Sequence, residues 1–279
     1  MKITPEELKA LSQYIYNVSG IYLDQSKAYL LESRLKPLMK EEKLSSFSEL
    51  YYKAKKDASK KLEKAIIDAV TTKETLFFRD SGPFEVFKHK IIPDLVDARA
   101  KKTPKSMPVK LRIWSAACST GQEVYSIAIA LKEILQDMNK YQVTILGTDI
   151  SDEAIATASY GKYNKFEIER GLSRDKLEKY FYPTQDGYWR IKDEIRAMVN
   201  FRKINLMHPF TGLGKFDVIF CRNVAIYFKP EDKKKLFERL ASVIQPDGAL
   251  IIGSTESLSG VTNTFVPKRY LRSIYYQLA

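Results

Sequence analysis

Residues 111–126, Leu-Arg-Ile-Trp-Ser-Ala-Ala-Cys-Ser-Thr-Gly-Gln-Glu-Val-Tyr-Ser, decide the fold. Leu111–Ser115 is a short apolar run of buried-strand character, Ala116–Gly121 is a turn of small residues, and Gln122–Leu135 carries apolar side chains at helical spacing. In a doubly wound sheet such a strand-to-helix turn offers a ligand its backbone amides and the positive end of a helix. Only Gly121 is a glycine, so the GxGxxG form is absent. The turn alone fits a ligand cradle and a plain tight connection equally well.

The same grammar repeats downstream. Val143–Asp149, Asn200–Leu206, Phe216–Cys221 and Ala249–Gly253 read as buried strands. Asp152–Ala158 and Pro230–Ile244 read as helices, the latter followed by the turn Gln245-Pro246-Asp247-Gly248. This alternation predicts an α/β fold, a doubly wound parallel sheet with helices on both faces. One stretch interrupts it: Tyr180–Pro183 and Tyr188–Ile191 flank Asp186-Gly187 and predict a small antiparallel insertion at the sheet's edge, about residues 172–200. Ala100–Pro108, rich in lysine and proline, predicts an exposed loop.

Ahead of the sheet, Leu8, Leu11, Ile15 and Val18, then Leu30, Leu31, Leu35 and Leu38, recur at helical spacing, and Thr4-Pro5-Glu6-Glu7 is a helix start. Residues 1–70 are expected to form a small all-helical domain, 71–90 a linker that contributes to the site, and 91–279 the sheet domain. Pro37 is expected to bend or end its helix.

Polar residues fall where open α/β sheets bind ligands. Asp149 ends the second strand, where a carboxylate can accept from the two ribose hydroxyls of an adenosine ligand or simply cap the next helix. Arg222 and Asn223 end the strand of Phe216-Asp-Val-Ile-Phe-Cys221, and Tyr227 follows. They could overhang a crevice, or form a structural ion pair and a core contact.

The chain has 279 residues, 44% of them hydrophobic, enough for two domains with real cores. Forty-six Lys and Arg against 34 Asp and Glu leave +12, which suggests an anionic partner. No run approaches the roughly 20 apolar residues of a membrane span, and the N-terminus lacks the apolar segment of a signal peptide, so a cytoplasmic protein is expected. Two cysteines, Cys118 and Cys221, and two histidines, His89 and His208, support neither a disulfide framework nor a zinc site.

Six ordered stretches, residues 71–80 (TTKETLFFRD), 112–126, 147–151 (GTDIS), Asn205-Leu206, 216–228 (FDVIFCRNVAIYF) and 246–256 (PDGALIIGSTE), together resemble the bacterial chemotaxis receptor methyltransferases, the CheR family. The resemblance covers nearly the whole chain. It implies a Rossmann-like S-adenosylmethionine-dependent enzyme that methylates glutamate side chains on the cytoplasmic helices of chemoreceptors, releasing S-adenosylhomocysteine, without a metal.

The resemblance also implies roles. Arg79 and Tyr227 would act at the transferred methyl, Thr75 and Arg79 would close over the methionine end, Glu123 would hold the cofactor's amino end, and Ala117 would also contact the cofactor. Asp149 would hold the ribose, Asn205 with Leu206 the adenine region, and Arg222 with Asn223 would line the site. Lys73 departs from the family's usual Asn, and could pair with a cofactor carboxylate or weaken its binding.

For docking, Lys53, Lys56, Lys60 and Lys64 share a face if one helix carries them, and Lys27, Arg34, Lys36 and Lys40 form a second stripe. The resemblance favours the second as the surface that meets an acidic helical bundle. The loop Tyr182–Tyr188 is short, with one glycine, which fits family members lacking a pentapeptide tether. The expected protein is a monomer that binds neither nucleic acid nor the membrane interior. A nucleic-acid methyltransferase and a non-catalytic cofactor-binding adaptor of the same fold are the alternatives. Residues 1–80 hold 15 basic and 12 acidic side chains and the remainder 31 and 22, so most of the excess charge lies outside the helical domain.

Overall fold

The computed structural model describes residues 2–104 and 106–279, so Lys105 of the expected loop lies outside the described residues. The chain opens with four helices, α1 (Pro5–Ser19), α2 (Ala28–Glu41), α3 (Phe47–Lys56) and α4 (Lys61–Val70). Thr4 and Glu7 cap α1 reciprocally, each side chain accepting the other's amide. Leu11, Ile15, Leu31, Leu35, Phe47, Leu50 and Ile66 are fully buried in one core, as their three- and four-residue spacing dictates.

Two local expectations meet the structure here: Pro37 does not end its helix, and one lysine stripe is not on a single helix. Helix α2 runs through Pro37 to Glu41; Pro37 and Ser33 one turn earlier are both exposed, so the carbonyl that loses its amide partner is left to water. The stripe Lys53, Lys56, Lys60 and Lys64 is split between two helices. Asp57 breaks the chain between them, its two carboxylate oxygens accepting the amides of Ser59 and Leu62 at 2.9 Å each, and Lys60 sits at φ +58°.

After the irregular segment Thr71–Asp80 come α5 (Ser81–Val86) and α6 (Ile92–Ala100), joined by one π turn over Phe87–Ile91. The sheet then begins: β1 (Val109–Ala116), α7 (Gln122–Ile134), β2 (Tyr141–Asp149) and α8 (Asp152–Tyr160). An insertion follows, with β3 (Lys162–Tyr163), α9 (Lys165–Glu169), α10 (Arg174–Tyr180), β4 (Phe181–Pro183), β5 (Trp189–Ile191) and α11 (Asp193–Arg196). Its three strands pair antiparallel in the order β3-β5-β4, so the small sheet takes its first strand from well ahead of residue 172. The chain ends with β6 (Val199–Lys203), β7 (Phe216–Cys221), α12 (Pro230–Ser242), β8 (Ile244–Ile252), β9 (Phe265–Tyr270) and β10 (Ser273–Leu278).

The large sheet runs β6-β2-β1-β7-β8-β10-β9, its first five strands parallel and β10 antiparallel to both neighbours. Each face has a core: Ile113, Phe84, Phe87 and Ile127 on one side, Trp114, Phe216, Leu236 and Leu240 on the other. Ser115 pairs with Gly147 of β2 and Phe220 of β7, which sets the carboxyl ends of β1, β2 and β7 level. The expected turn at 245–248 lies inside β8 as an irregularity, since Phe216 pairs with Ile244 but Val218 with Ala249. Strand β6 stops at Lys203, leaving Ile204–Leu206 to turn across the strand ends. The β9–β10 hairpin lies where the sequence marked no element.

Candidate active site

A cavity of about 260 Å³ opens at the carboxyl ends of the parallel strands, between the sheet and the helical domain. Every residue assigned from the sequence to catalysis or cofactor binding lines it: Thr75 and Arg79, Ala117 and Glu123, Asp149, Asn205 and Leu206, Arg222 and Asn223, and Tyr227.

The turn after β1 is curled to expose its amides. Ala117, Ser119 and Gly121 all have positive φ, +61°, +51° and +95°. Gly121 is required twice over, for its left-handed backbone and because an added Cβ would stand 2.8 Å from the Ala158 Cβ on α8. The Cys118 amide donates to the Thr148 carbonyl at 2.8 Å and the Tyr163 hydroxyl to the Thr120 carbonyl at 2.8 Å, pinning the turn between β2 and the insertion. The Ser119 hydroxyl is buried at the cavity with no hydrogen-bond partner among the described residues.

Asp149 is not the cap of α8; Ser151 is, accepting the Ala154 amide at 3.0 Å. The Asp149 oxygens take the Ser119 and Ser151 amides at 2.9 and 3.0 Å, which leaves further lone pairs facing the cavity. Burial pushes its carboxyl above the ordinary range, against those amide bonds.

Arg222 is the buried hub. Its guanidinium donates to Glu123 at 2.9 Å, to Asp80 at 2.8 Å and to the Arg79 carbonyl at 2.7 Å, while the other Glu123 oxygen accepts from the Ser115 hydroxyl at 2.8 Å. The structural ion pair and the lining role are therefore both realised in one residue. Next to it, Asn223 stands at φ +56°, and one oxygen of Glu256 accepts both its amide, at 2.7 Å, and that of Gly253, at 2.8 Å. Glu256, Asp80, Ser115 and Ser119 carried no role from the sequence. The stretch 246–256 contained Glu256, but a side chain that grips only backbone amides leaves no local pattern.

The segment Thr71–Asp80 passes over the cavity as a strap. Phe77 is buried edge-on between Tyr163 and Phe181, the Phe78 amide donates to Ser126 Oγ at 2.9 Å, and Phe78 and Asp80 both have positive φ. The Phe77 carbonyl approaches so closely that a Cβ on Gly171 would come within 2.0 Å of it. Arg79 spends one nitrogen on the Glu74 carbonyl at 3.2 Å, and the Tyr227 hydroxyl makes no hydrogen bond among the described residues. Residues Ser19, Ile21, Leu23, Leu30 and Val70 of the helical domain close the opposite wall, which the sequence did not foretell. The two parts are stitched by Tyr16 to Asp232 at 2.6 Å, by Asn205 Nδ2 to the Val18 carbonyl at 2.9 Å, and by the Tyr22 amide to the Tyr227 carbonyl at 2.9 Å.

Over residues 6–71 the chain matches the CheR methyltransferase all-alpha domain, and over 73–270 the CheR methyltransferase SAM binding domain. The chain belongs to the CheR family. It is 39% identical over 267 residues to chemotaxis protein methyltransferase Cher2 of Pseudomonas putida, covering 95% of this chain and 94% of that one. With the chemotaxis protein methyltransferase of Vibrio parahaemolyticus it shares 40% over 278 residues, 99% and 98% of the two chains, and with that of Borreliella burgdorferi 37% over 265 residues, 94% and 92%. It is thus an S-adenosylmethionine-dependent methyltransferase.

Within this CheR site neither histidine lines the cavity, and among the described residues no group of three or more His, Cys, Asp or Glu side chains could hold a metal. The Cys118 thiol touches the cavity, yet burial raises its pKa well above normal and keeps it protonated, so it is no nucleophile. Lys73, the departure from the CheR pattern, pairs with Glu153 on α8 and does not line the cavity. Arg34 of the expected docking stripe donates to the Val70 carbonyl and, at 3.1 Å, to Thr72 Oγ1, so its head is turned to the strap. Lys27, Lys36 and Lys40 remain exposed on that side of the sequence. Among the described residues no helix is long and apolar enough to cross a membrane.

Proposed function

We propose that this CheR methyltransferase esterifies glutamate side chains on the cytoplasmic helical domains of chemoreceptors, releasing S-adenosylhomocysteine, and that it works in the cytoplasm as a monomer. The observation that carries the reading is that one cavity, lined by no histidine among the described residues, is lined by both Arg79, with a single side-chain hydrogen bond among those residues, and Tyr227, whose hydroxyl has none among them. The names of the relatives, chemotaxis protein methyltransferases, support the pathway.

The residues present fit the cofactor. The Ser119 hydroxyl is a buried polar atom without a partner among the described residues, and Asp149 has acceptor capacity to spare for two ribose hydroxyls. Glu123, held rigid by Ser115 and Arg222, is assigned to the amino group, with Ala117, Thr75 and Asn223 around it. Asn205 is already bonded to Val18 and to the Met207 amide, so its assigned part in the adenine wall falls to its free edge and to Leu206. Arg222, spent on two carboxylates, acts by holding Glu123.

S-adenosylmethionine supplies an electrophilic sulfonium methyl. A glutamate side chain, with a reference pKa of about 4.3, is already ionised at neutral pH, so no general base is needed. What remains is in-line placement, worth up to about 7–11 kcal/mol in favourable systems. Arg79 orients the acceptor carboxylate through one side of its fork, since full bidentate pairing would blunt the oxygen's nucleophilicity. Tyr227 shares that contact. Lys27, just ahead of α2, and Lys36 and Lys40 on it are assigned to the acidic substrate bundle, with Arg34 serving the strap. The short β4–β5 loop carries no peptide tether in this reading.

The test is incubation with radiolabelled S-adenosylmethionine and either receptor cytoplasmic fragments or total RNA. Base-labile label on the fragment is expected. Label on RNA, or none with intact cofactor binding, overturns the proposal in favour of a nucleic-acid enzyme or an adaptor.

A further inference from the structure

The β9–β10 hairpin carries an unusual tip. Its two-residue loop is Leu271-Arg272, where Leu271 holds φ +51° and is 74% exposed. Hairpins that need a positive φ ordinarily place Gly, Asn or Asp there, because a branched aliphatic side chain is strained in that region and gains nothing from standing in water. Ile274, just inside β10, is 54% exposed as well. Arg269, opposite Ile274 in the hairpin register, and Arg272 at the tip are exposed beside them, while Lys268, opposite Tyr275, is exposed on the other face. From Phe265 to Ala279 there is no acidic residue, and none of the three cations forms an ion pair among the described residues. Arg269 has only the Leu271 carbonyl, at 3.1 Å.

Guarding an edge accounts for part of this. β9 is the last strand of the sheet, and Pro267 and Lys268 discourage further pairing. It does not account for Leu271, Arg272 and Ile274, which lie at the tip or on β10, an inner strand.

The tip's place in the fold is informative. β10 runs antiparallel to β8 with Tyr276 opposite Leu250, so the start of β10 reaches the carboxyl end of β8, the end of the sheet where the cavity opens. Ser273 packs on Gly82, where an added Cβ would meet its hydroxyl at 2.6 Å. Gly82 lies two residues beyond Asp80, which Arg222 ties to the cavity. The cationic, apolar tip therefore stands beside the active-site mouth.

We propose that Leu271, Ile274, Arg269 and Arg272 form a second substrate-docking surface, taking a carboxylate-bearing amphipathic helix of the protein substrate. The inference rests on the reading of the substrate as an acidic helical bundle. Charge complementarity selects that occupant: two arginines without an ion pair among the described residues meet carboxylates, and two aliphatic side chains meet the apolar seam of a helix. With α2 contributing lysines from the helical domain, the substrate is gripped from both parts of the chain.

The experiment compares wild type with Leu271→Ser/Ile274→Ser and with Arg269→Glu/Arg272→Glu in steady-state methylation of a receptor cytoplasmic fragment, alongside cofactor affinity by calorimetry. Both variants should raise KM for the fragment by about tenfold, with kcat and cofactor affinity retained, and the wild-type KM should rise with salt more steeply than that of the charge-reversed variant. An unchanged KM in both overturns the docking surface while leaving the wild-type reaction intact. Loss of sedimentation with vesicles of anionic phospholipid, at unchanged KM, overturns it in favour of a membrane contact. Absence of label with wild-type enzyme overturns the proposed function, and with it this partner.

Discussion

Arg222 Nη1 stands 2.9 Å from Glu123 Oε2 with only 1% of the arginine side chain exposed, and that pair joins the end of β7 to the first turn of α7 beneath the cavity. Asp80 completes the group, so a single guanidinium fixes a strand end, a helix start and the strap. Arg222→Ala leaves Glu123 buried without its cation and should cost about 3–5 kcal/mol in chemical denaturation, with cofactor affinity falling in parallel. Arg222→Lys, a point charge that cannot span three acceptors, should fall between. A loss under about 1 kcal/mol in the alanine variant would count against the hub.

Arg79 and Tyr227 are expected to matter after the cofactor is bound. Arg79→Ala and Tyr227→Phe should each lower kcat by about 10²-fold or more while calorimetric cofactor affinity barely changes. Equal losses in both quantities would reassign these residues to cofactor binding.

Asp149 gives the cofactor affinity a pH signature. Burial lifts its pKa above 3.8, so on acidification it takes up a proton earlier than an exposed aspartate would, and it loses acceptor strength as it does. Affinity should therefore decline as pH falls through that raised value. Asp149→Asn should weaken binding by about 1.5–3 kcal/mol at neutral pH and abolish the acid limb. Persistence of the limb in the variant would place the titrating group elsewhere.

Tyr16 and Asp232 bind the helical domain to α12 through a 2.6 Å hydrogen bond from the phenol to a carboxylate on a buried residue. That bond raises the Tyr16 pKa to about 12, with burial adding to it. A folded pKa above the unfolded value of about 10 means the stabilisation is complete below pH 10 and disappears as pH climbs through 12. Tyr16→Phe should lower stability by about 1–3 kcal/mol at pH 7, and the difference from wild type should shrink in alkaline denaturation curves. A constant gap up to pH 12 would show that the bond is not the source.

The strand-turn-helix of 111–126 and the repeats after it were legible because parallel strands buried on both faces are continuous apolar runs, and helices announce themselves by period. The edge hairpin β9–β10 escaped because Phe265–Tyr270 carries Pro267, Lys268 and Arg269 in a row, and reads as a loop until β10 supplies the pairing. Pro37 does not end α2 because its cost depends on whether the freed carbonyl meets water, which only the packing of α2 decides. The turn signal at 245–248 was real chemistry absorbed into β8 by the register with β7.

For the site the division is similar. Residue identities at strand ends and the ordered motifs determined the family and nominated ten residues that line one cavity. Only the tertiary structure decided that Arg222 is spent on Glu123 and Asp80, that Ser151 rather than Asp149 caps α8, and that Glu256 clamps the Asn223 backbone. It alone made the helical domain a wall of the cavity and brought the hairpin tip to its mouth. The physical reason is that period and motif record what each segment needs for itself, whereas the side-chain clamps of the site join segments from 33 to 142 residues apart, where the chain carries no local pattern to read.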